Sequence, residues 1–302
     1  MRDEDNSYIL KKRSVRSDRL NPESTMSKTQ VVSLINMKGG VGKTTLAVNL
    51  AAHMAHDAGL KVLLIDADPQ TNATLSLMSP RKWEKWTNEN GSMADVFEIE
   101  SVIRNNEDFL KLKKCIIRGV VPEIPSFDLL PGHLKLTFID LELASRAGRE
   151  RILNRKLAKI KDDYDVVLID CPPNLQAATQ NALYASDWYL VPAQADFLSA
   201  LGLELLVDRL QTLKEELEFK IKCLGVVFTR VRKGIQYHLE TMDSWPEKKD
   251  FRGLSFMDTI IPENVAISRA PALGKPLLLI EPQAPGTAAF RALTEELLAR
   301  LK

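Results

Sequence analysis

The sequence predicts an α/β fold: a doubly wound, mostly parallel sheet flanked by helices. Two observations carry this. Short β-branched apolar runs alternate with helical stretches, and the runs are apolar throughout, as strands covered on both faces must be. A glycine-rich turn, MKGGVGKTT at residues 37 to 45, joins the first run to the helix that follows. In chain order the runs are VVSLIN (31 to 36), KVLLID (61 to 66), DVVLID (165 to 170), WYLVP (188 to 192), IKCLGVVFT (221 to 229) and a short SFMDTII (255 to 261), with a helix from Thr44. Between Pro80 and Phe127 the pattern loosens into RKWEKWTNENGS and then two further helices; Trp83 and Trp86 read as covering a core edge. With no internal repeat and no Pro-rich linker, residues 29 to 302 read as a single domain.

Residues 1 to 28 differ from the rest. They are mostly charged or polar, with one apolar island at Tyr8, Ile9 and Leu10, and cannot bury enough surface to fold alone. They read as a disordered N-terminal extension, or as an over-long start ahead of Met26. A second reading is an arm touching DNA or a partner through Lys11, Lys12, Arg13, Arg16 and Arg19.

Composition narrows the class. In 302 residues, 41 Lys and Arg balance 40 Asp and Glu, which excludes a globally basic nucleic-acid binder but leaves room for a local basic patch. Cys115, Cys171 and Cys223 are far apart and show neither zinc spacing nor a disulfide framework. No apolar run is long enough for a membrane span and no signal-peptide core is present, so a cytoplasmic protein is expected.

The glycine-rich turn is the chemical centre. An ordinary P-loop has Gly six residues before its Lys, and Met37 stands there instead. What remains, Lys38, Gly39, Gly40, Val41, Gly42, Lys43, Thr44 and Thr45, still turns backbone N–H groups and a helix N-terminus toward phosphate oxygens. Lys43 is expected to reach the β and γ phosphates, and the Thr44 hydroxyl to ligate Mg²⁺. Two later runs end in acids, DADPQ from Asp66 and IDCPP from Asp170, and in a parallel sheet both reach the edge where the turn opens. Acids beside a triphosphate need a cation or a water between. Asp170 and Asp66 therefore read as organising Mg²⁺, and Asp68 as free to orient a water.

These residues resemble the ParA-type partition ATPases of the deviant Walker A group, which also holds MinD. KGGVGKTT, LIDADPQTNAT (64 to 74), YDVVLIDCPPNL (164 to 175), NALYASDWYLVPAQADFLSALGLELL (181 to 206) and the segment from Thr259 to Leu297 carry the resemblance, over roughly residues 29 to 301. It implies a P-loop NTPase fold and a slow Mg-ATP hydrolase forming an ATP-sandwich homodimer. Lys38 would be the signature lysine touching the partner subunit's nucleotide, and Asp68 would position the attacking water. The segments around Asp68 and from Asp170 to Asn174 would be switches, and adenine would sit near Thr229 and Pro262. It further implies an ATP dimer that binds non-specific double-stranded DNA, in association with the nucleoid, and a ParB-like partner that stimulates hydrolysis.

The sequence departs from the group at IPENVA (261 to 266), where an IPRNVR-like stretch normally carries arginines for DNA. A displaced basic face would then use Arg230, Arg232, Lys233, Lys248, Lys249, Arg252 and Arg269. A MinD-like membrane helix is not expected, because Phe290, Leu293, Leu297, Leu298 and Leu301 read as a stripe packed on the body. Alternatives to DNA segregation are the positioning of a protein cargo and, in a different class, a nucleotide-gated electron donor of nitrogenase-reductase type, which needs cluster-bridging cysteines.

Overall fold

The computed structural model describes residues 28–98, 107–232, 234–251 and 253–302. The extension proposed for residues 1 to 28 thus lies outside the described residues, save Lys28, as do Lys233 and Arg252. Six strands form one sheet: β1 Gln30–Leu34, β2 Val62–Asp66, β3 Phe127–Leu130, β4 Val166–Asp170, β5 Trp188–Ala193 and β6 Lys222–Phe228. Their order is β3-β2-β4-β1-β5-β6, every neighbouring pair is parallel, and β1 and β2 flank β4 with Asp66 in register with Asp170.

Among the described residues the helices are, in chain order, α1 Lys43–His56, α2 Asn72–Leu75, α3 Pro80–Asn90, α4 Met93–Glu98, α5 Glu107–Cys115, α6 Ile139–Leu143, α7 Ile152–Leu157, α8 Ala177–Ala185, α9 Phe197–Leu217, α10 Gln236–Ser244, α11 Val265–Arg269, α12 Leu277–Ile280 and α13 Pro285–Leu301. The continuous apolar strands are explained by two cores. Successive strand residues alternate between them: Leu63, Ile65, Val167 and Ile169 pack with α4 and α6 to α9, whereas Val62, Leu64, Val166 and Leu168 pack with α1, α12 and α13. Phe290, Leu293, Leu297 and Leu301 are buried on the second face, so the C-terminal stripe is core. Among the described residues no helix is long and apolar enough to cross a membrane.

Two local readings are corrected. SFMDTII is not a strand: Phe256 alone bridges Val226, and although Met257 N and Ile261 N donate to β6 (2.8 Å each), the amide between them that a continuous ladder would need, Thr259 N, is taken by Glu296 on α13 (3.0 Å). RKWEKWTNEN is α3 itself. Its tryptophans are half-buried and tied to the backbone, Trp83 Nε1 donating to Gly132 O (3.0 Å) and Trp86 Nε1 to Cys115 O (3.1 Å). The sequence reading also missed β3, the edge strand. Its four residues include Asp128, whose carboxylate is satisfied by Arg118 (2.6 Å), the Tyr164 hydroxyl (2.9 Å) and Gly119 N (2.8 Å).

Candidate active site

The chain leaves β1 at the C-terminal edge of the sheet, between the places where β4 and β5 end, which is the topological switch point of a doubly wound fold. Asn36 anchors the turn there: its Nδ2 donates to Pro192 O (2.7 Å) and its Oδ1 accepts from Lys38 N (2.9 Å). Gly40 (φ 74°) and Gly42 (φ 89°) are left-handed, and Gly42 caps α1. Around both, an added Cβ would meet open space, so backbone conformation rather than room calls for glycine. No acidic side chain occupies the first turn of α1, leaving its positive end for an anion. Lys43 is buried and turns back on the loop, donating to Asn36 O (3.2 Å) and Lys38 O (3.4 Å). Burial lowers its pKa against the opposing pull of Asp170, Cys171 and Asp68.

A cavity of about 450 Å³ opens over this turn, lined by Gly39, Gly40, Gly42, Lys43, Thr44 and Thr45 and, opposite them, by Asp68, Gln70, Asn72 and Ser76. The three acids sit differently. Asp170 is fully buried, neither of its oxygens has a partner of good hydrogen-bond geometry among the described residues, and burial together with Asp66 and Asp68 pushes its carboxyl well above the ordinary range, with the nearby Thr44 hydroxyl and Lys43 pulling the other way. Asp66, equally buried, is occupied: its Oδ2 accepts from Thr74 N (2.8 Å) and Thr74 Oγ1 (2.7 Å), and its Oδ1 from Asp68 N (3.3 Å). Burial also raises the Asp66 carboxyl. Asp68 faces the cavity and its Oδ1 accepts from Gln70 N (2.9 Å). An unpartnered buried carboxylate beside a threonine hydroxyl, with a second acid in register, is a donor set that fits Mg²⁺ and is costly without a cation. Asp170 and Thr44 would hold the ion or its waters, and Asp66 is placed to brace the segment behind them.

A second cavity of about 240 Å³ adjoins the first and shares Gly40, Gly42, Thr45 and Pro271 with it. Thr229, Ile261, Pro262, Asn264, Ile267 and Phe290 line it together with Arg230, Glu263 and Ser268, a slot with both apolar and polar walls that could take a planar base and its polar edge. Thr229 acts chiefly through the loop, its Oγ1 donating to Val41 O (2.7 Å). Lys38 lies at the lip of the phosphate side. Its Nζ is 2.7 Å from Asp196 Oδ2, 3.0 Å from Asp196 Oδ1 and 3.1 Å from Ser199 Oγ, and Asp196 also caps α9 by accepting from Ser199 N (2.8 Å). Burial of Asp196 is outweighed by these donors, which hold its carboxyl below the usual range.

A cavity at a helix N-terminus with a second slot beside it has the form of a nucleotide site. Residues 29–223 match the family model described as an AAA domain. The sporulation initiation inhibitor protein Soj of Bacillus subtilis is 34% identical over 275 residues, covering 89% of this chain and 98% of Soj. The chain belongs to the ParA-type P-loop ATPases. The chromosome partitioning protein ParA of Caulobacter vibrioides is likewise 34% identical, over 90% of this chain and 94% of its own. Among solved structures, cobyrinic acid a,c-diamide synthase of Mycobacterium smegmatis with a bound ATP analog and magnesium superposes with a TM-score of 0.72 at 27% identity, covering 91% of this chain and 96% of that one. The ATP complex of a Cyanothece McdA variant has the same fold, with a TM-score of 0.73 at 22% identity over 90% and 97% of the two chains.

Within this ParA-type frame the proposed DNA residues do not form one free patch. Arg230 reaches Glu263 (3.2 Å), and Arg232 is ion-paired to the same carboxylate. The acid standing in IPENVA thus neutralises two of the arginines thought to replace the missing ones. Lys248 lies over the Phe251 ring, and Lys249 and Arg269 are exposed. Asn36, Pro271, Asp196 and Ser199 are site residues that the sequence reading did not name. Asp196 carried a signal, an acid immediately before a long helical pattern, where an N-cap belongs.

Proposed function

We propose that this ParA-type ATPase is a Mg-ATP-dependent dimerising switch for DNA segregation, in plasmid or chromosome partition. Its ATP dimer binds DNA non-specifically, on the nucleoid, and a ParB-like partner stimulates the hydrolysis that releases it. The chain is an ATP hydrolase using ATP and Mg²⁺; the ATP dimer, the DNA track on the nucleoid and the partner are the proposal. The observation that carries the switch is the lip of the site. Lys38 is parked on Asp196 and Ser199, and beside it Met37, Phe197, Leu198 and Leu201 leave apolar surface exposed. Such a rim suits a second copy of the same face.

The chemistry follows from the residues. Asp170 and Thr44 would hold Mg²⁺, which would supply the positive charge that offsets the phosphate oxygens and the buried acids. Lys43 and the amides of the turn hold the β and γ phosphates, Asp68 orients the attacking water, and Lys38, freed from Asp196, brings a cation to the nucleotide in the opposite subunit. A cation supplied in trans acts as an arginine finger does, where the effect is about 10³ to 10⁵ in rate. Lys38→Ala should keep its nucleotide affinity and lose the ATP dimer. Sizing chromatography with Mg-ATP checks this, and an undiminished dimer would give Lys38 another role.

The DNA reading is tested with Asp68→Ala protein on non-specific duplex, with ATP and with ADP, across a salt series. Binding with ATP alone that weakens by roughly 0.9 log units per phosphate contact for each log unit of salt supports a DNA track. No binding in either state would favour the second reading, a protein-cargo positioner, which the Glu263 clamp on Arg230 and Arg232 recommends. The electron-donor alternative is disfavoured by the thiols. Cys115 and Cys171 are buried and Cys223 is half-buried, so none of the three is exposed where two copies could share a cluster.

A further inference from the structure

The largest of the cavities described is not part of the nucleotide site. It measures about 590 Å³ and lies outside the β3 edge, between α3 and the turn of residues 117 to 123. Leu77, Met78, Ile117, Val120 and Val121 form apolar walls, and Trp86, fixed by its bond to Cys115 O, forms a flat side. Lys82 and Lys85, three apart on α3, stand at the rim exposed, and among the described residues neither has a hydrogen bond or an ion pair. Glu89 and the paired Lys275 and Glu123 complete the rim. The pocket therefore asks for an apolar anchor with acids on one side of it and tolerates bases on the other.

The chain contains that pattern. Asp3, Glu4 and Asp5 precede Tyr8, Ile9 and Leu10, and Lys11, Lys12 and Arg13 follow. Reach is not limiting. Lys28 leads into β1, which is three strand spacings from β3, about 14 Å, and the eighteen residues from Leu10 to Lys28 can span up to about 60 Å. We propose that this cavity is the docking site for the chain's own N-terminal segment, with Tyr8, Ile9 and Leu10 in the apolar pocket and the acids at positions 3 to 5 on Lys82 and Lys85. Its placement gives docking a consequence. Leu77 and Met78 follow directly on Ser76, which with Asn72 lines the phosphate cavity, so one short segment forms a wall of both.

The test uses the full chain with benzoylphenylalanine in place of Tyr8, irradiated and mapped by mass spectrometry. Cross-links are expected to fall on residues 77 to 86 and 117 to 123, in the same molecule or a second copy. Lys82→Glu with Lys85→Glu should reduce them by about tenfold, from two rim charge pairs reversed, while ATP binding is unchanged. Reversing Asp3, Glu4 and Asp5 to Lys in that background should restore them. Cross-links mapped elsewhere, an absence of cross-links, indifference to the lysine reversal, or a failed charge swap would each overturn the proposal.

Discussion

Asp68→Ala is expected to bind Mg-ATP with nearly the parent affinity, to form the ATP dimer, and to turn over at least about 10² times more slowly, the lower bound for loss of a positioned acid–base group. The expectation follows from where the carboxylate stands. It faces the phosphate cavity across from Thr44, and its removal leaves Lys43, Asp170 and the amides of the turn in place. Because Asp68 also accepts from Gln70 N, the alanine loses a local hydrogen bond as well as a carboxylate. Asp68→Asn separates the two effects: it keeps the acceptor and should still lose turnover. Single-turnover hydrolysis beside equilibrium ATP binding provides the check. Parent-like turnover in both variants would assign the water to another residue.

Lys43→Ala should abolish nucleotide binding at working concentrations. Charge-assisted hydrogen bonds contribute about 1.5 to 3 kcal/mol each, and with two phosphates to hold, the loss is at least about 100-fold in affinity. The fold should tolerate the change, because among the described residues Lys43 hydrogen-bonds two carbonyls of its own loop, and Asp170, which loses a neighbouring cation, has a carboxyl that burial already pushes toward the neutral form. Thermal denaturation without nucleotide should therefore move little, whereas stabilisation by Mg-ATP should vanish. A variant stabilised by Mg-ATP as the parent is would remove Lys43 from the phosphate site.

Much of this was legible in the sequence, for a physical reason. A strand covered on both faces must be apolar throughout, so β1, β2, β4, β5 and β6 each stood out within about two residues of their ends. β3 did not: it is a four-residue edge strand carrying Asp128, and what neutralises that acid, Arg118 and the Tyr164 hydroxyl, becomes visible only once the chain has folded. SFMDTII had the composition of a strand, but Glu296, far along the chain, took the Thr259 amide that continuous pairing required. The site divides in the same way. The turn and the strand-end acids are local patterns, and the structure gathers Lys43, Thr44, Asp68 and Asp170 at one sheet edge. Side-chain partnerships were not legible, whether between distant segments, as Lys38 with Asp196 and Glu263 with Arg230 and Arg232, or across a single turn, as Asp66 with Thr74. The Asp66 contact changes the expected division of labour most, since one of two acids read alike from the sequence is engaged by protein donors and the other, among the described residues, has no partner of good hydrogen-bond geometry.

The most direct test of the central claim, that Mg-ATP joins two copies through the lip around Lys38, is sedimentation velocity of the Asp68→Ala protein with Mg-ATP, with Mg-ADP and with ATP plus EDTA. The account predicts a dimer with Mg-ATP alone and monomers in the other two. A monomer under all three conditions, or a dimer indifferent to nucleotide and magnesium, would contradict it.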